Sequence, residues 1–180
     1  MNTKTITPKI ISAINLATRL HRDHLRRDDA KTPYVSHLFA VAMFLASVTD
    51  DEDIIVAGLM HDALEDVADY EYEHLEADCG KRVADIVAGV TENKILPYKE
   101  RKILYLENLK TGSDESLIVS VADKLHNALS LTDVHESHGM NVDTQKRMYS
   151  EVLSIARERF LSTSKEFSLV LELEKAISAL

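Results

Sequence analysis

The segment 54–66, IIVAGLMHDALED, places polar side chains within an apolar helical pattern. Hydrophobic residues on nearly every side predict a buried helix. Four polar residues interrupt this helix: His61, Asp62, Glu65 and Asp66. Residues four apart share one face of a helix, so these four side chains form one contiguous patch. A divalent cation would offset the cost of burying three carboxylates and a histidine together, so the patch indicates a metal site. The alternative is the solvated end of an amphipathic helix.

Two further residues outside this segment could complete the metal site. Asp123 stands in a second apolar segment, SLIVSVADKLHNALSL, with Asn127 one turn later on the same face. His37 lies near the start of another helical segment. Taken alone, Asp123 could be a satisfied core carboxylate and His37 a structural or exposed histidine. Taken together, the candidate ligands are two imidazoles and two carboxylates: His37, His61, Asp62 and Asp123.

This mixed nitrogen and oxygen set predicts a catalytic rather than a structural metal. It suits Mn²⁺ or Fe²⁺ with water in open positions better than a closed zinc site, and Co²⁺ or Mg²⁺ are also compatible. Such an ion lowers the pKa of its water and polarises a phosphoryl oxygen, which indicates hydrolysis of a phosphate ester or anhydride. Glu65 and Asp66 are not used as ligands in this hypothesis. They are available to orient the water or to act as general base and acid.

Helices must position these residues, and the chain carries the signals that start and end them. Thr7 followed by Pro8 is typical of an N-cap and a first helical position. The polar run 21–31 predicts a loop, and Gly80 and Gly89 predict helix ends. Five glycines and three prolines in 180 residues also favour helices. The sequence predicts an all-α fold, a compact single-domain helical bundle over residues 1–180. Helices are expected within these approximate ranges: 8–20, 32–48, 54–66, two short stretches divided by Gly80, 98–110, 116–131, 142–161 and 165–179.

Composition excludes several classes of protein. A formal net charge of −9 argues against sequence-independent binding to nucleic acid, which depends on Lys and Arg. Cys79 is the only cysteine, so no intrachain disulfide can form and a reducing compartment is expected. The first residues lack the apolar core of a signal peptide, and the longest apolar run is shorter than the roughly 18 residues of a membrane span. A cytoplasmic protein without a membrane partner is expected.

The order H…HD…D resembles the HD-domain phosphohydrolase superfamily. Over roughly residues 16–132 the chain is similar to a narrower group, the guanosine tetraphosphate hydrolases of the RelA/SpoT type. The matching segments are RRDDAKTPYVSH, HDALED, VTENKILPYKERK and VADKLHNALSL. HDxxED with an upstream PYxxH and a downstream ADKLxN is specific to this group. With no synthetase segment following, the sequence looks like a stand-alone small alarmone hydrolase.

The resemblance implies an activity and a role for each site residue. It implies that Glu65 and Asp66 activate water to release pyrophosphate from the ribose 3′ position of ppGpp or pppGpp, leaving GDP or GTP. Mn²⁺ would be bound by the four candidate ligands: His37, His61, Asp62 and Asp123. Arg presents a planar fork to phosphate oxygens, and Asn offers both a donor and an acceptor to a nucleoside. The substrate contacts implied are Arg26, Arg27, Lys94, Asn127 and Tyr149.

Some positions depart from the family pattern or are given no role. Lys31 stands where the family usually has glycine, which places the position of Arg26 in question, and Leu38 replaces a common proline. Lys146 and Arg147 precede Tyr149 at helical spacing, but surface charge is the favoured interpretation. Most of the remaining histidines are expected to be solvated: His21, His24, His74, His126, His135 and His138.

Two alternatives to ppGpp hydrolysis stay open. An HD-type phosphatase could act on another nucleotide or on a phosphorylated cofactor, because HD proteins are chemically broad. A non-catalytic alarmone-binding module could keep the fold without the reaction, although the intact Glu65-Asp66 pair and the complete ligand set argue against it. The sequence leaves the oligomeric state open.

Overall fold

The first two helices confirm the predicted bounds. The computed structural model of the chain describes residues 6–28, 30–131 and 141–180. Helix α1 spans Pro8–Leu20, and the Thr7 hydroxyl accepts a hydrogen bond from the Ile10 amide over 3.3 Å. Helix α2 spans Val35–Val48 and follows a loop, as predicted. The predicted HESHGMN loop lies almost wholly outside the described residues, as do His135 and His138.

The prediction of one continuous helix over 54–66 is wrong. Helix α3 spans Glu52–Met60 and helix α4 spans Ala63–Asp66, with His61 and Asp62 between them. The His61 ring nitrogen Nδ1 lies 2.9 Å from the Gly58 carbonyl oxygen. In an uninterrupted helix that carbonyl would accept from the amide of Asp62, four residues later. The histidine side chain therefore competes with the helical backbone bond at the point where the helix breaks.

The later helices follow the predicted pattern. Gly80 separates α5 from α6 and has a φ of 92°, a left-handed conformation that favours glycine. Ser113 caps α8 by accepting from the Ser116 amide over 3.0 Å. The remaining helices are α5 (Tyr72–Cys79), α6 (Lys81–Ala88), α7 (Tyr98–Thr111), α8 (Asp114–Ser130), α9 (Val142–Arg159) and α10 (Phe167–Ala179). Apart from one isolated bridge between Leu25 and Pro33, the described residues contain no β structure, which confirms the all-α class.

Helices α2, α3 and α8 lie at the centre of the fold and pack on one another. Gly58 permits the close approach of α2 and α3, because a Cβ there would lie 2.5 Å from Leu45 Cδ1. The three helices carry fully buried apolar side chains, and three of the buried polar residues, His37, His61 and Asp123, lie on or at the end of these same helices. The centre of the core is therefore also where the polar site lies. Within the described ranges, no helix combines the length and the apolar character needed to cross a membrane.

Candidate active site

The four predicted metal ligands converge from the three central helices. His37 lies in the first turn of α2, His61 and Asp62 lie at the break after α3, and Asp123 lies in the middle of α8. His37 is 1% exposed, His61 4% and Asp123 8%. The Nε2 atoms of the two histidines are 3.2 Å apart. Nearly complete burial of these polar groups at one point requires a compensating partner.

The carboxylates close around the two imidazoles. Asp123 Oδ1 lies 3.2 Å from His37 Nε2 and 3.7 Å from His61 Nε2. Asp62 Oδ2 lies 3.1 Å from His61 Nε2 and 3.6 Å from His37 Nε2. One potential ligand atom from each of His37, His61 and Asp123 lies within 4.8 Å of the other two. The structure thus brings the predicted set together in one small volume.

The donor set fits a divalent cation. A carbonyl oxygen can only accept, so His61 Nδ1 carries its proton toward Gly58 and a neutral His61 presents the lone pair of Nε2 to the cluster. Lone pairs and anionic oxygens at these distances repel unless positive charge lies between them. Burial alone would lower the pKa of His61, but the Asp62 and Asp123 carboxylates outweigh burial and raise that pKa well above its usual value. A proton on His61 and a bound cation are therefore alternative ways to neutralise the cluster.

Two residues that the sequence analysis did not single out contact the carboxylates of the cluster, one through a hydrogen bond and one through an ion pair. Tyr34 donates its hydroxyl to Asp62 Oδ2 over 2.7 Å, and the Lys124 ammonium lies 2.5 Å from Asp123 Oδ2. Asn127, predicted as a substrate contact, donates its amide to Asp123 Oδ1 over 2.5 Å. Tyr34 stands three residues before His37 in the PYVSH segment, so helical spacing was a signal that could have found it. Such partners would orient the two carboxylates toward a bound cation.

The predicted catalytic pair lies on α4 beside the cluster. Glu65 Oε2 accepts from the Glu92 backbone amide over 3.2 Å, and the Lys94 ammonium lies 3.5 Å from Glu65 Oε1. Lys94 also forms an ion pair with Asp66. Burial, and then the nearby Asp62 carboxylate, raise the pKa of Glu65. A carboxylate with a raised pKa at a buried site has the character of a general base.

A cavity of 710 Å³ opens beside the catalytic pair and has the size of a small-molecule site. Glu65 and Asp66 lie in its wall. All five predicted substrate contacts line it: Arg26, Arg27, Lys94, Asn127 and Tyr149. A smaller adjoining pocket is lined by His61, Asp62 and Asp123 together with Glu65 and Asn127. The cavity and the polar cluster therefore meet at Glu65 and Asn127, which line both pockets.

Arg26 is held against the cluster despite the unusual Lys31. The Arg26 guanidinium donates to Asn127 Oδ1 over 3.2 Å and lies 5.7 Å from the centre of the Tyr34 ring. Lys31 adopts a left-handed φ of 54°, and the loop closes through a hydrogen bond from the Arg26 amide to the Thr32 carbonyl over 2.8 Å. Lysine thus takes the backbone conformation that glycine takes more readily, and the loop keeps Arg26 in the cavity wall.

The cavity wall also includes residues to which the sequence analysis gave no role, among them one on α7 and one on α9. Arg101 of α7 and Gln145 of α9 both line the cavity. Gln145 and Tyr149 are four residues apart, so they share the face of α9 that meets the cavity. Arg147 is exposed and Lys146 is half-buried, and neither lines this cavity. The surface-charge interpretation therefore holds for Arg147.

The expectation that most of the other histidines are solvated is wrong for three of those that the structure describes. His24 is half-buried, and its Nδ1 lies 3.0 Å from Nδ1 of His21. His21 is 1% exposed and stacks on the Tyr34 ring with centroids 5.5 Å apart. His126 is half-buried against His37. Burial is the main cause that lowers the pKa of His21 to about 4 and the pKa of His126 to about 4. His74 is exposed, as expected.

Comparison with known proteins identifies the family. The family model described as HD domain matches residues 13–155. The chain belongs to the HD-domain family. The Danio rerio guanosine-3′,5′-bis(diphosphate) 3′-pyrophosphohydrolase MESH1 is 38% identical over 128 residues, which are 69% of this chain and 70% of that protein. The Homo sapiens MESH1 protein is 37% identical over 125 residues, which are 68% of this chain and 69% of that protein. The resemblance to this family inferred from sequence is therefore confirmed.

The similarity extends to a solved three-dimensional structure. A metazoan orthologue of SpoT that hydrolyses ppGpp superposes on this chain with a TM-score of 0.81 and 30% sequence identity. The match covers 96% of each chain. Almost the whole chain therefore has a counterpart in the structure of that protein.

Proposed function

We propose that this HD-domain chain is a Mn²⁺-dependent hydrolase that releases pyrophosphate from the ribose 3′ position of ppGpp and pppGpp. The observation that carries the proposal is the junction of a buried ligand cluster with a cavity of 710 Å³ that carries several basic side chains, with Glu65 in the wall of both and Asp66 in the wall of the cavity. The HD-domain relatives named as 3′-pyrophosphohydrolases support the substrate. The proposed ligands are His37, His61, Asp62 and Asp123.

The proposed ligands hold the cation, and Glu65 and Asp66 act on the attacking water and the leaving group. A bound divalent cation polarises a phosphoryl oxygen and acidifies water. Glu65, fixed by the Glu92 amide, accepts a proton from the attacking water. The new bond joins the water oxygen to the phosphorus attached to the 3′ oxygen, and the bond from that phosphorus to the 3′ oxygen breaks. The proton that Glu65 accepts is balanced by a proton that the 3′ oxygen takes up as it leaves as a hydroxyl group. Asp66, paired with Lys94, orients the water and the leaving group.

The cavity wall supplies the substrate contacts in this proposal. Arg26 and Arg27 bind phosphate oxygens through their planar guanidinium groups, and Lys94 supplies a point charge. Tyr149 packs on the nucleoside. Asn127 bonds both Arg26 and Asp123, so it links the substrate wall to the ligand cluster. A small phosphorylated nucleotide fits this arrangement.

Further features of the proposal rest on composition. Residues 1–180 are taken as one catalytic domain, located in the cytoplasm and acting on a small molecule rather than on nucleic acid. The net charge of −9 supports a small-molecule substrate over nucleic acid, because binding to a nucleic-acid backbone requires many exposed Lys and Arg side chains and this chain is acidic.

A product assay tests the function. The purified chain is incubated with Mn²⁺ and ppGpp, and the products are separated by anion-exchange chromatography. We expect GDP and pyrophosphate in equal amounts. A parallel panel of other phosphorylated nucleotides and cofactors separates this proposal from a broader phosphatase. Cleavage of panel members with no turnover of ppGpp would reject the proposed substrate.

A further inference from the structure

His126 meets a candidate metal ligand on the side that faces away from the cluster. It lies on α8, three residues after Asp123, and its Nδ1 lies 2.8 Å from Nδ1 of His37. The two ring centroids are 4.8 Å apart, with the ring planes inclined by 51°. His37 therefore has both ring nitrogens engaged, Nε2 in the cluster and Nδ1 against His126.

The short contact fixes which nitrogen carries the proton. A neutral imidazole has one N–H donor and one lone pair. If Nε2 of His37 presents its lone pair to a cation, the proton of His37 stands on Nδ1, and His126 Nδ1 must accept it. The proton of His126 then stands on its own Nε2. One hydrogen bond thus sets the tautomer of both rings.

Two further side chains lie near the His126 ring. The Ser130 hydroxyl donates to the His126 backbone carbonyl over 2.8 Å and lies 3.5 Å from His126 Nδ1, and the centres of the Phe44 and His126 rings are 6.5 Å apart. The other histidine ligand has a comparable partner, since His61 Nδ1 lies 2.9 Å from the Gly58 carbonyl oxygen. Each candidate imidazole ligand therefore has an acceptor for its Nδ1 proton. The acceptor is a backbone carbonyl for His61 and a second imidazole for His37.

We propose that His126 is a positioning residue for the metal site, which holds the ring of His37 and keeps the lone pair of His37 Nε2 directed at the cation. This inference rests on the proposed function only for the presence of a divalent cation at the cluster. Partners of this kind typically account for about a 10- to 100-fold difference in metal affinity. His126 does not touch the reacting atoms in this proposal.

Two substitutions separate acceptor chemistry from packing. His126→Leu keeps an apolar side chain of similar reach but removes the acceptor, whereas His126→Asn places an amide oxygen at the position of Nδ1. We expect His126→Leu to bind Mn²⁺ about 10- to 100-fold more weakly, measured by calorimetry, and His126→Asn to recover most of that loss. His74→Leu, the same change at an exposed histidine, should bind Mn²⁺ as the unmodified chain does.

The tautomers of His37 and His126 provide a readout that does not depend on the folding of variants. Long-range ¹H–¹⁵N NMR of the unmodified chain loaded with Mg²⁺, which is diamagnetic, should show His37 protonated at Nδ1 and His126 protonated at Nε2. A proton on Nδ1 of His126 in this complex would overturn the inference, because that nitrogen could then not accept from His37. Equal Mn²⁺ affinity in the unmodified chain and in His126→Leu would also overturn it while leaving the proposed function intact. Failure of the unmodified chain to bind Mn²⁺ would overturn both.

Discussion

Tyr34 donates its hydroxyl to Oδ2 of Asp62 over 2.7 Å, although the two residues are 28 positions apart in the chain. The bond joins the loop before α2 to the break between α3 and α4, and it acts on a carboxylate that faces both histidines. Such a partner orients a ligand and competes for one of its lone pairs. The position of Asp62 is therefore set by a residue outside its own helix.

Tyr34→Phe removes this hydroxyl and keeps the ring. We expect Mn²⁺ affinity to fall by about 10-fold or more, because Asp62 loses the bond that orients it. The melting temperature should change little, since the Phe ring can still stack on His21. Calorimetric titration with Mn²⁺ measures the effect, and an unchanged affinity would show that Tyr34 does not position the ligand.

Glu65→Gln tests the division between metal binding and proton transfer. Turnover of ppGpp should fall by about 10²- to 10⁴-fold because the general base is lost, whereas Mn²⁺ binding should be largely retained. Asp62→Ala is the comparison variant, and it should lose metal binding and turnover together. A Glu65→Gln protein that no longer binds Mn²⁺ would make Glu65 a ligand rather than a base.

Lys31 carries backbone strain that a single substitution can relieve. Its φ of 54° lies in the left-handed region, which costs a side chain with a Cβ roughly 1–2 kcal/mol. We expect Lys31→Gly to raise the free energy of unfolding by up to about 1 kcal/mol, since the greater freedom of glycine in the unfolded chain offsets part of the gain. Asp69→Gly, at a φ of 59°, should gain less because Asp tolerates this region better. Urea denaturation compares the two variants, and a destabilised Lys31→Gly would contradict the expectation.

His21 makes stability depend on pH in a defined direction. Burial lowers the pKa of His21 to about 4, below the value near 6.5 in an unfolded chain. The unfolded chain therefore binds more protons between these values, so the contribution of His21 is fully present above pH 6.5 and is lost as pH falls toward 4. The loss is roughly 3 kcal/mol at most.

His21→Phe keeps a ring against Tyr34 and removes the titrating group. Urea denaturation across pH 4–7 should show a shallower fall in the free energy of unfolding for this variant than for the unmodified chain. Identical pH profiles for the two proteins would mean that His21 is not held neutral by the fold.

Local signals in the sequence were sufficient to predict much of the fold and the site. The Thr7-Pro8 cap and Gly80 predicted helix ends that the structure confirms. A polar side chain in an apolar helix must have a partner that compensates for its loss of hydration on burial. This requirement predicted that His61 and Asp123 belong to a site. The structure places both in one cluster with the other predicted ligands.

What the sequence could not show depends on contacts between distant parts of the chain. The helix break after Met60 depends on the direction taken by the His61 side chain. Burial of His126 depends on the packing of α8 against α2. Gln145 lines the cavity because of the orientation of α9 about its own axis, which its neighbours in the fold determine. Periodicity describes the faces of one helix, but it does not tell which face meets which neighbour.

Reloading the chelated chain with metal tests the central claim, that hydrolysis of ppGpp depends on one cation held by the buried cluster. The chain is stripped with a chelator and titrated with Mn²⁺ while release of GDP from ppGpp is followed, with Asp123→Ala treated in parallel. We predict that the stripped chain is inactive, that activity returns in full at one equivalent of Mn²⁺ per chain, and that Asp123→Ala stays inactive. Full turnover by the stripped chain, or restored turnover by Asp123→Ala at one equivalent, would contradict the account.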